Sequence, residues 1–221
     1  FFNALGIKIL QGYGQTECGP IISTNPITNI KLKTVGPPIK GLEVKLSIEN
    51  EILVKGNSVM KGYWKNQKAT DNTIINNWLH TGDIGFIDKD NYIQITGRKN
   101  EMIVNSGGEN ISPVPIENLL MNSKEIDQVL IYGQNRPYLI AIIVPNDLPL
   151  KGTNNDKEIL RKLLKDVINE TNAMLSQKNK VRKFLIADDG FNFLNGQMTP
   201  TLKLKRQKIT NFYYKEIEKL Y

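Results

Sequence analysis

Polar and apolar residues alternate in four short runs in the first half of the chain: "LEVKLSI" (42–48), "NEILVKG" (50–56), "DIGFIDKD" (83–90) and "NYIQITG" (91–97). Alternation of period two puts every second side chain on one face, so each run predicts a strand with one wet side. "IDKDN" (87–91) supplies the turn residues for a hairpin between the last two runs. The spacing from 34 to 96 predicts a small, mostly antiparallel β subdomain, with "NQKATDNTII" (66–75) as a short helix on its surface. Upstream, "GIKILQGYG" (6–14) predicts a buried strand over 7–10 that runs into a glycine turn.

After Gly97 the pattern changes. "RKNEMIVNSGGENISP" (98–113) reads as a strand, a glycine turn and a loop, and "PVPIENLLMNS" (113–123) as a helix opened by prolines. "IDQVLIYG" (126–133) and "YLIAIIVPN" (138–146) are apolar runs of the kind that form paired, largely buried strands. Residues 154–176 form an amphipathic helix pattern with Ile159, Leu163, Val167 and Ile168 on one face. "KFLIADD" (183–189) predicts another strand, and 200–221 a strand followed by a helix. The expected fold class is α+β: a β subdomain over 1–97, then a compact α+β domain over 98–221, with the junction at Gly97-Arg98.

Composition narrows the function classes. The net charge of +7 invites a nucleic-acid reading, but 24 lysines stand against only 5 arginines, beside 25 asparagines and 28 isoleucines. Such a bias matches A/T-rich coding better than phosphate recognition, which favours arginine and interleaved aromatics, so no nucleic-acid partner is expected. The single cysteine, Cys18, excludes an internal disulfide framework and fits a reducing compartment. Its only possible imidazole partner is the lone His80, and a small buried thiol is the simpler reading. His80 itself lacks a second ligand in sequence and takes a structural or capping role.

Several short stretches carry candidate chemistry, each with a plainer alternative. "QGYGQTE" (11–17) sets an aromatic, a hydroxyl and a carboxylate on one bend. Asp83 in "TGD" (81–83) can accept two sugar hydroxyls, or bond its own turn backbone. Arg98 at a domain edge can reach a phosphate. Gly107 and Gly108 allow close approach to a ligand, or simply make a hairpin turn. In "PTLKLKR" (200–206) a strand would turn Leu202 and Leu204 inward and Lys203 and Lys205 outward, either toward developing negative charge or as a solvated edge.

Taken in order, these motifs resemble the adenylate-forming (AMP-forming) synthetase superfamily of acyl-CoA synthetases, luciferases and peptide-synthetase adenylation domains. The likeness runs from "ILQGYGQTE" to "TPTLKLKR", and "ITGRKNEMIVNSGGENISPVPIE" (95–117) is most similar to the long-chain fatty acyl-CoA synthetase branch, including its bubblegum-type members. The resemblance implies the fold of that family, with a small mobile C-terminal domain, and a role for each matching residue. Tyr13 would stack on adenine beside Gly14, Thr16 would bond the α-phosphate, and Glu17 would ligate Mg²⁺. Asp83 would hold the ribose hydroxyls and Arg98 the ribose or phosphate. Asn100 stands where the family hinge has Asp or Lys. Gly107 and Gly108 would flank the pantetheine arm of CoA, and Lys203 would serve adenylation. Most relatives have glycine before that lysine, whereas this chain has Leu202, as long-chain members do.

The implied activity is a long-chain fatty acid–CoA ligase taking ATP, Mg²⁺, fatty acid and CoA. It would be cytoplasmic, with peripheral attachment to a membrane left open. No phosphate loop of the family's large N-terminal region occurs in these 221 residues. The expectation is therefore a C-terminal portion, inactive alone, whose partner is the missing N-terminal part of the same enzyme. An adenylating enzyme with a different acyl acceptor, and a non-enzymatic basic module, are the alternatives.

Overall fold

A computed structural model describes residues 2–146 and 156–221. They divide into two compact units, Phe1–Asn100 and Glu101–Tyr221.

In the first unit, β1 (Gly12–Gly14) pairs antiparallel with β2 (Ile21–Thr24). Beyond them β3 (Leu42–Leu46) and β4 (Glu51–Gly56) form an antiparallel pair in full register. The short helix α1 (Gln67–Thr73) starts where the Asn66 side chain accepts the Ala69 N–H at 3.1 Å, an N-cap on an otherwise exposed helix. It leads into β5 (Ile74–Ile75), then the ten-residue β6 (Trp78–Ile87) and β7 (Ile93–Arg98). The near half of β6 lies between β4 and β5, and its far half pairs with β7, all antiparallel. Cys18, Ile22, Ile52, Val54, Leu79 and Ile93 are buried together as the core of this unit.

The expected strand over 7–10 does not form. The first ladder begins only at Gly12, and Ile7 and Ile9 remain half exposed. Apolar character cannot hold an extended segment that has no strand to pair with, and among the described residues 7–10 have no ladder partner, the Ile7 N–H bonding back to the Phe2 carbonyl at 3.0 Å.

The second unit opens with β8 (Ile103–Val104), which turns back as β9 (Asn110–Ile111), a short strand where a plain loop was expected. Helix α2 (Pro113–Met121) follows, with proline at its first position, where no intrahelical N–H is needed. Strands β10 (Ile126–Tyr132) and β11 (Leu139–Pro145) pair antiparallel. Helix α3 (Asp156–Ala173) then carries the chain across to β12 (Val181–Ile186), which runs parallel to β11. A parallel neighbour cannot be reached by a tight turn, so the crossover helix is a requirement of the topology. The chain ends in α4 (Arg206–Phe212) and α5 (Tyr214–Glu218), two short helices broken at Tyr213 rather than one.

The central strand β11 explains the double-sided core. Leu139, Ala141 and Ile143 face α2 and α3, while Ile140, Ile142 and Val144 face α4 and α5. Burying each large aliphatic side chain contributes about 2 kcal/mol.

Two details depart from the sequence pattern. The buried stripe of α3 is Leu164 and Ile168, flanked by Leu160 and Val167, whereas Ile159 and Leu163 are exposed. The expected face was set one position off, about 100° around the helix, because Ile159 and Leu163 extend the same run of apolar residues. Positions 154 and 155 of that expected helix lie outside the described residues.

The expected strand over 200–206 is a tight turn instead. Leu202 takes φ 59° and is exposed, with only Leu204 directed to the core. Its stem is a single bridge, Met198 to Leu204. A left-handed leucine costs about 1–2 kcal/mol relative to a residue free to adopt it, partly offset by the entropy glycine loses on folding. We therefore expect Leu202→Gly to stabilise the second unit by about 0.5–1 kcal/mol, read as greater amide-exchange protection of β10 and β11.

Candidate active site

The bend that holds Tyr13 is built by close backbone packing. A side chain at Gly14 would bring its Cβ within 1.8 Å of the Pro20 carbonyl oxygen, so only glycine fits where β1 folds onto β2. The chain then makes one 3₁₀ turn over Thr16–Cys18. Thr16 is exposed and its hydroxyl has no partner among the described residues. Glu17 accepts a hydrogen bond from the Tyr63 hydroxyl at 2.9 Å. Cys18 is fully buried, 3.7 Å from the Ser58 hydroxyl, and burial pushes its thiol above the usual range, which removes it as a nucleophile.

Asp83 is the centre of a network that joins three of the expected residues. It lies opposite Arg98 in the β6–β7 ladder, and the Arg98 Nε donates to Asp83 Oδ1 at 2.9 Å. The Tyr13 hydroxyl donates to the other carboxylate oxygen, Oδ2, at 2.6 Å. Burial, and then the Asp83 acceptor, push the Tyr13 phenol far above its ordinary value, so it remains a donor. Asp83 is buried and its own N–H bonds the Thr81 hydroxyl at 3.1 Å. The carboxylate therefore does not cap its own turn. It is a fixed acceptor with one strongly held partner on each oxygen, beside the exposed head of Arg98.

Sequence reasoning missed the group that shapes the TGD turn. Glu51 is buried at the start of β4 and accepts from the Gly82 N–H at 3.0 Å, His80 Nδ1 lies 3.2 Å away, and Lys99 Nζ 3.3 Å away. Gly82 takes φ 71°, the left-handed geometry that turns its N–H toward Glu51. Only the β4–β6 pairing, 31 residues apart, brings the two together, so no local pattern could reveal it. Glu17, Glu51, Tyr63, His80, Lys99 and Asn100 all line one cleft of about 480 Å³.

Burial pushes the Glu51 carboxyl up, but the hydrogen bonds from His80, Gly82 and Lys99 outweigh it and hold the group below its usual value. A depressed carboxyl adds stability that is present above its unfolded pKa and is lost as pH falls through the folded one. The first unit should therefore weaken as pH falls below about 4.5, and Glu51→Gln should flatten that slope. Both tryptophans, Trp64 and Trp78, lie in this unit, so urea titrations followed by tryptophan fluorescence at several pH values check it.

In the second unit Gly107 and Gly108 sit at the tip between β8 and β9, both exposed. The Asn105 side chain accepts the N–H groups of Gly107 at 3.0 Å and Glu109 at 2.9 Å, which sets the tip geometry. Lys203 is exposed at the end of its turn, with its N–H on the Thr199 hydroxyl at 3.0 Å and its carbonyl accepting the Thr199 N–H at 2.8 Å. Three residues on, Arg206 makes a two-pronged ion pair with Glu117 of α2, Nη1 to Oε1 and Nη2 to Oε2, both 2.6 Å.

Among the described residues no cluster of three or more His, Cys, Asp or Glu could hold a metal by itself. A single carboxylate such as Glu17 nonetheless fits magnesium, which takes one or two protein carboxylates and fills the rest of its shell with phosphate oxygens and water. No helix of the described residues is long and apolar enough to cross a membrane.

Comparison with known proteins identifies the family. The family described as AMP-binding enzyme C-terminal domain matches residues 100–221, and the one described as AMP-binding enzyme matches residues 1–64. The chain is 30% identical over its whole length to the long-chain-fatty-acid–CoA ligase FadD15 of Mycobacterium bovis, of which it covers 39%. It is 34% identical, again over its whole length, to the chloroplastic long-chain-fatty-acid–[acyl-carrier-protein] ligase AEE15 of Arabidopsis thaliana, covering 33% of it. Among solved structures, it resembles o-succinylbenzoate CoA synthetase (MenE) from Bacillus subtilis in complex with the acyl-adenylate intermediate. There the TM-score is 0.74 at 25% identity, over 94% of this chain and 42% of that one. The adenylation domain of a carboxylate reductase from Mycobacterium chelonae shares the fold, with a TM-score of 0.83 at 22% identity, over 100% of this chain and 36% of that one. The chain spans about two fifths of the ligase FadD15 and, with its α+β architecture and matched C-terminal domain, belongs to the AMP-binding, adenylate-forming enzyme family.

Proposed function

We propose that the chain is the C-terminal portion of a long-chain fatty acid–CoA ligase. The observation that carries the proposal is the buried Asp83 carboxylate held between Tyr13 and Arg98, an acceptor pre-set for ribose hydroxyls next to an aromatic and a cation. Residues 1–97 would close one wall of the adenylate pocket, with Tyr13 and Gly14 against adenine and Thr16 on the α-phosphate. Residues 98–221 would form the small domain, with Asn100 as the hinge, Gly107 and Gly108 beside the pantetheine arm of CoA, and Lys203 as the catalytic cation.

Two half-reactions follow. A fatty acid carboxylate oxygen attacks the α-phosphorus of ATP, pyrophosphate leaves, and an acyl-adenylate forms. The CoA thiol, losing its proton, then attacks the acyl carbon and AMP leaves. Lys203 meets the charge that builds up on the phosphate and carboxylate oxygens in the first step. Glu17 would hold magnesium, which supplies further neutralisation of phosphate charge when bound.

Fusion of the chain to the N-terminal part of a long-chain ligase relative tests the proposal. ATP–pyrophosphate exchange that depends on fatty acid should appear in the fusion and be missing from the isolated chain. A fusion that folds but shows no exchange, or an isolated chain that forms acyl-CoA, overturns it. The AEE15 likeness supports a second reading, in which acyl carrier protein takes the place of CoA; supplying each acceptor to the preformed acyl-adenylate separates the two.

A further inference from the structure

The Arg206–Glu117 pair is a largely buried, two-pronged polar contact of the second unit, and the adenylation chemistry proposed above gives it no role. Arg206 opens α4 directly behind the Lys203 turn, and its side chain is 23% exposed, while the Glu117 side chain is 6% exposed. Two parallel bonds of 2.6 Å fix both the distance and the plane of the guanidinium. Glu117 Oε1 also accepts the Ile131 N–H of β10 at 2.8 Å. The arginine is thus tied through one carboxylate to the core sheet and to α2, the helix that follows the Gly107–Gly108 tip. The Arg206 Nε lies 3.8 Å from Glu101 at the first residue of the unit.

The Lys203 turn is closed by its own bonds: the Thr199 N–H on the Lys203 carbonyl at 2.8 Å, the Leu202 N–H on the Thr199 carbonyl at 3.0 Å, the Lys203 N–H on the Thr199 hydroxyl at 3.0 Å and the Lys205 N–H on the Gln197 carbonyl at 2.8 Å. These bonds shape the turn within itself and do not fasten it to the sheet or to α2, and Leu202 at its tip is exposed in a left-handed conformation. The packed Leu204 fixes the stem in depth, and a hydrophobic contact does not fix rotation. A planar fork does, because it sets orientation as well as separation.

We infer that Arg206 and Glu117 are positioning residues that hold the Lys203 turn in a single orientation on the small domain. The inference rests on the adenylation role proposed for Lys203. A cation that meets developing charge must be in place before the reaction, and a shift of about 1 Å costs about 100-fold in rate.

Two substitutions and two measurements test it. Arg206→Lys keeps the charge and loses the fork; Glu117→Gln keeps the shape and an acceptor for Ile131 and loses the charge. In the full chain, amide exchange across 199–205 should rise in either variant by about tenfold more than any rise at β11, which reports the stability of the unit as a whole. In the fused enzyme, ATP–pyrophosphate exchange should fall about 100-fold with little change in the KM for ATP, and thioester formation from supplied acyl-adenylate should stay close to the parent rate. Exchange at 199–205 that rises no more than at β11 in both variants overturns the inference, as does an equal fall in both half-reactions. If Lys203→Ala itself leaves adenylation intact, the role given to Lys203 falls, and the amide-exchange arm still decides whether the pair holds the turn.

Discussion

Replacing Lys203 with alanine is expected to lower ATP–pyrophosphate exchange by about 100- to 1,000-fold in the fused enzyme, while thioester formation from supplied acyl-adenylate changes little. The magnitude is that of one pre-oriented donor removed from a charge-developing transition state. Lys203 can serve as that donor because its side chain is exposed and has no partner among the described residues, whereas Lys31 and Lys99 are already committed. Lys31 is held by Asp88 and Asp90, and Lys99 by Glu49 and Glu51. The turn around Lys203 is closed by backbone and threonine bonds alone, so the substitution should leave the fold unchanged. Far-ultraviolet circular dichroism and amide exchange of β10 to β12 would verify that the loss is chemical. An equal loss in both half-reactions would assign Lys203 to general structure and remove the division of labour that the two loops imply.

What could be read from the sequence was whatever depends on short-range period or on a residue's own chemistry. The strands of the β subdomain follow from alternation. The buried pair β10 and β11 follows from two unbroken apolar runs, and the helix start at Pro113 from proline at a first turn. Tyr13, Asp83 and Arg98 were singled out by residue type and motif order, and the fold joins them through bonds spanning 70 and 15 residues. Glu51 carried no such mark, since a glutamate at the start of a strand is unremarkable until the ladder sets it beside Gly82 and His80. Glu117 was equally silent, with its partner 89 residues away. The misread segments share a cause. Residues 7–10 and 200–206 both look like strands by composition, and strand formation is decided by whether a neighbour is there to pair with. In 200–206 the left-handed Leu202 breaks the alternation, a conformation that leucine gives no reason to expect.

Truncating Glu117 to alanine is expected to cost the second unit about 3–5 kcal/mol, the loss typical of removing one partner from a buried ion pair. Two penalties combine. The Arg206 guanidinium, which burial disfavours and the Glu117 carboxylate chiefly keeps charged, would be left with only the more distant Glu101 at 3.8 Å as counter-ion. The buried Ile131 N–H, on the edge strand β10, would lose its acceptor, a further cost of about 1–3 kcal/mol if no water reaches it. Truncating Arg206 instead leaves Glu117 bonded to Ile131 and should cost less. The double replacement Glu117→Met with Arg206→Met should recover most of the loss, since an apolar pair of similar volume is often as stable as a buried ion pair. Recovery should stop short of the parent because methionine cannot accept the Ile131 N–H. Tryptophan fluorescence reports only the first unit, so it serves as the internal control, and amide exchange of Ile131, Ile140 and Ile142 reports the second. If the single and double variants are equally unstable, the pair contributes through packing volume and not through charge. If the double variant is as stable as the parent yet leaves the Lys203 turn mobile, stability and orientation are separate consequences of the same two residues.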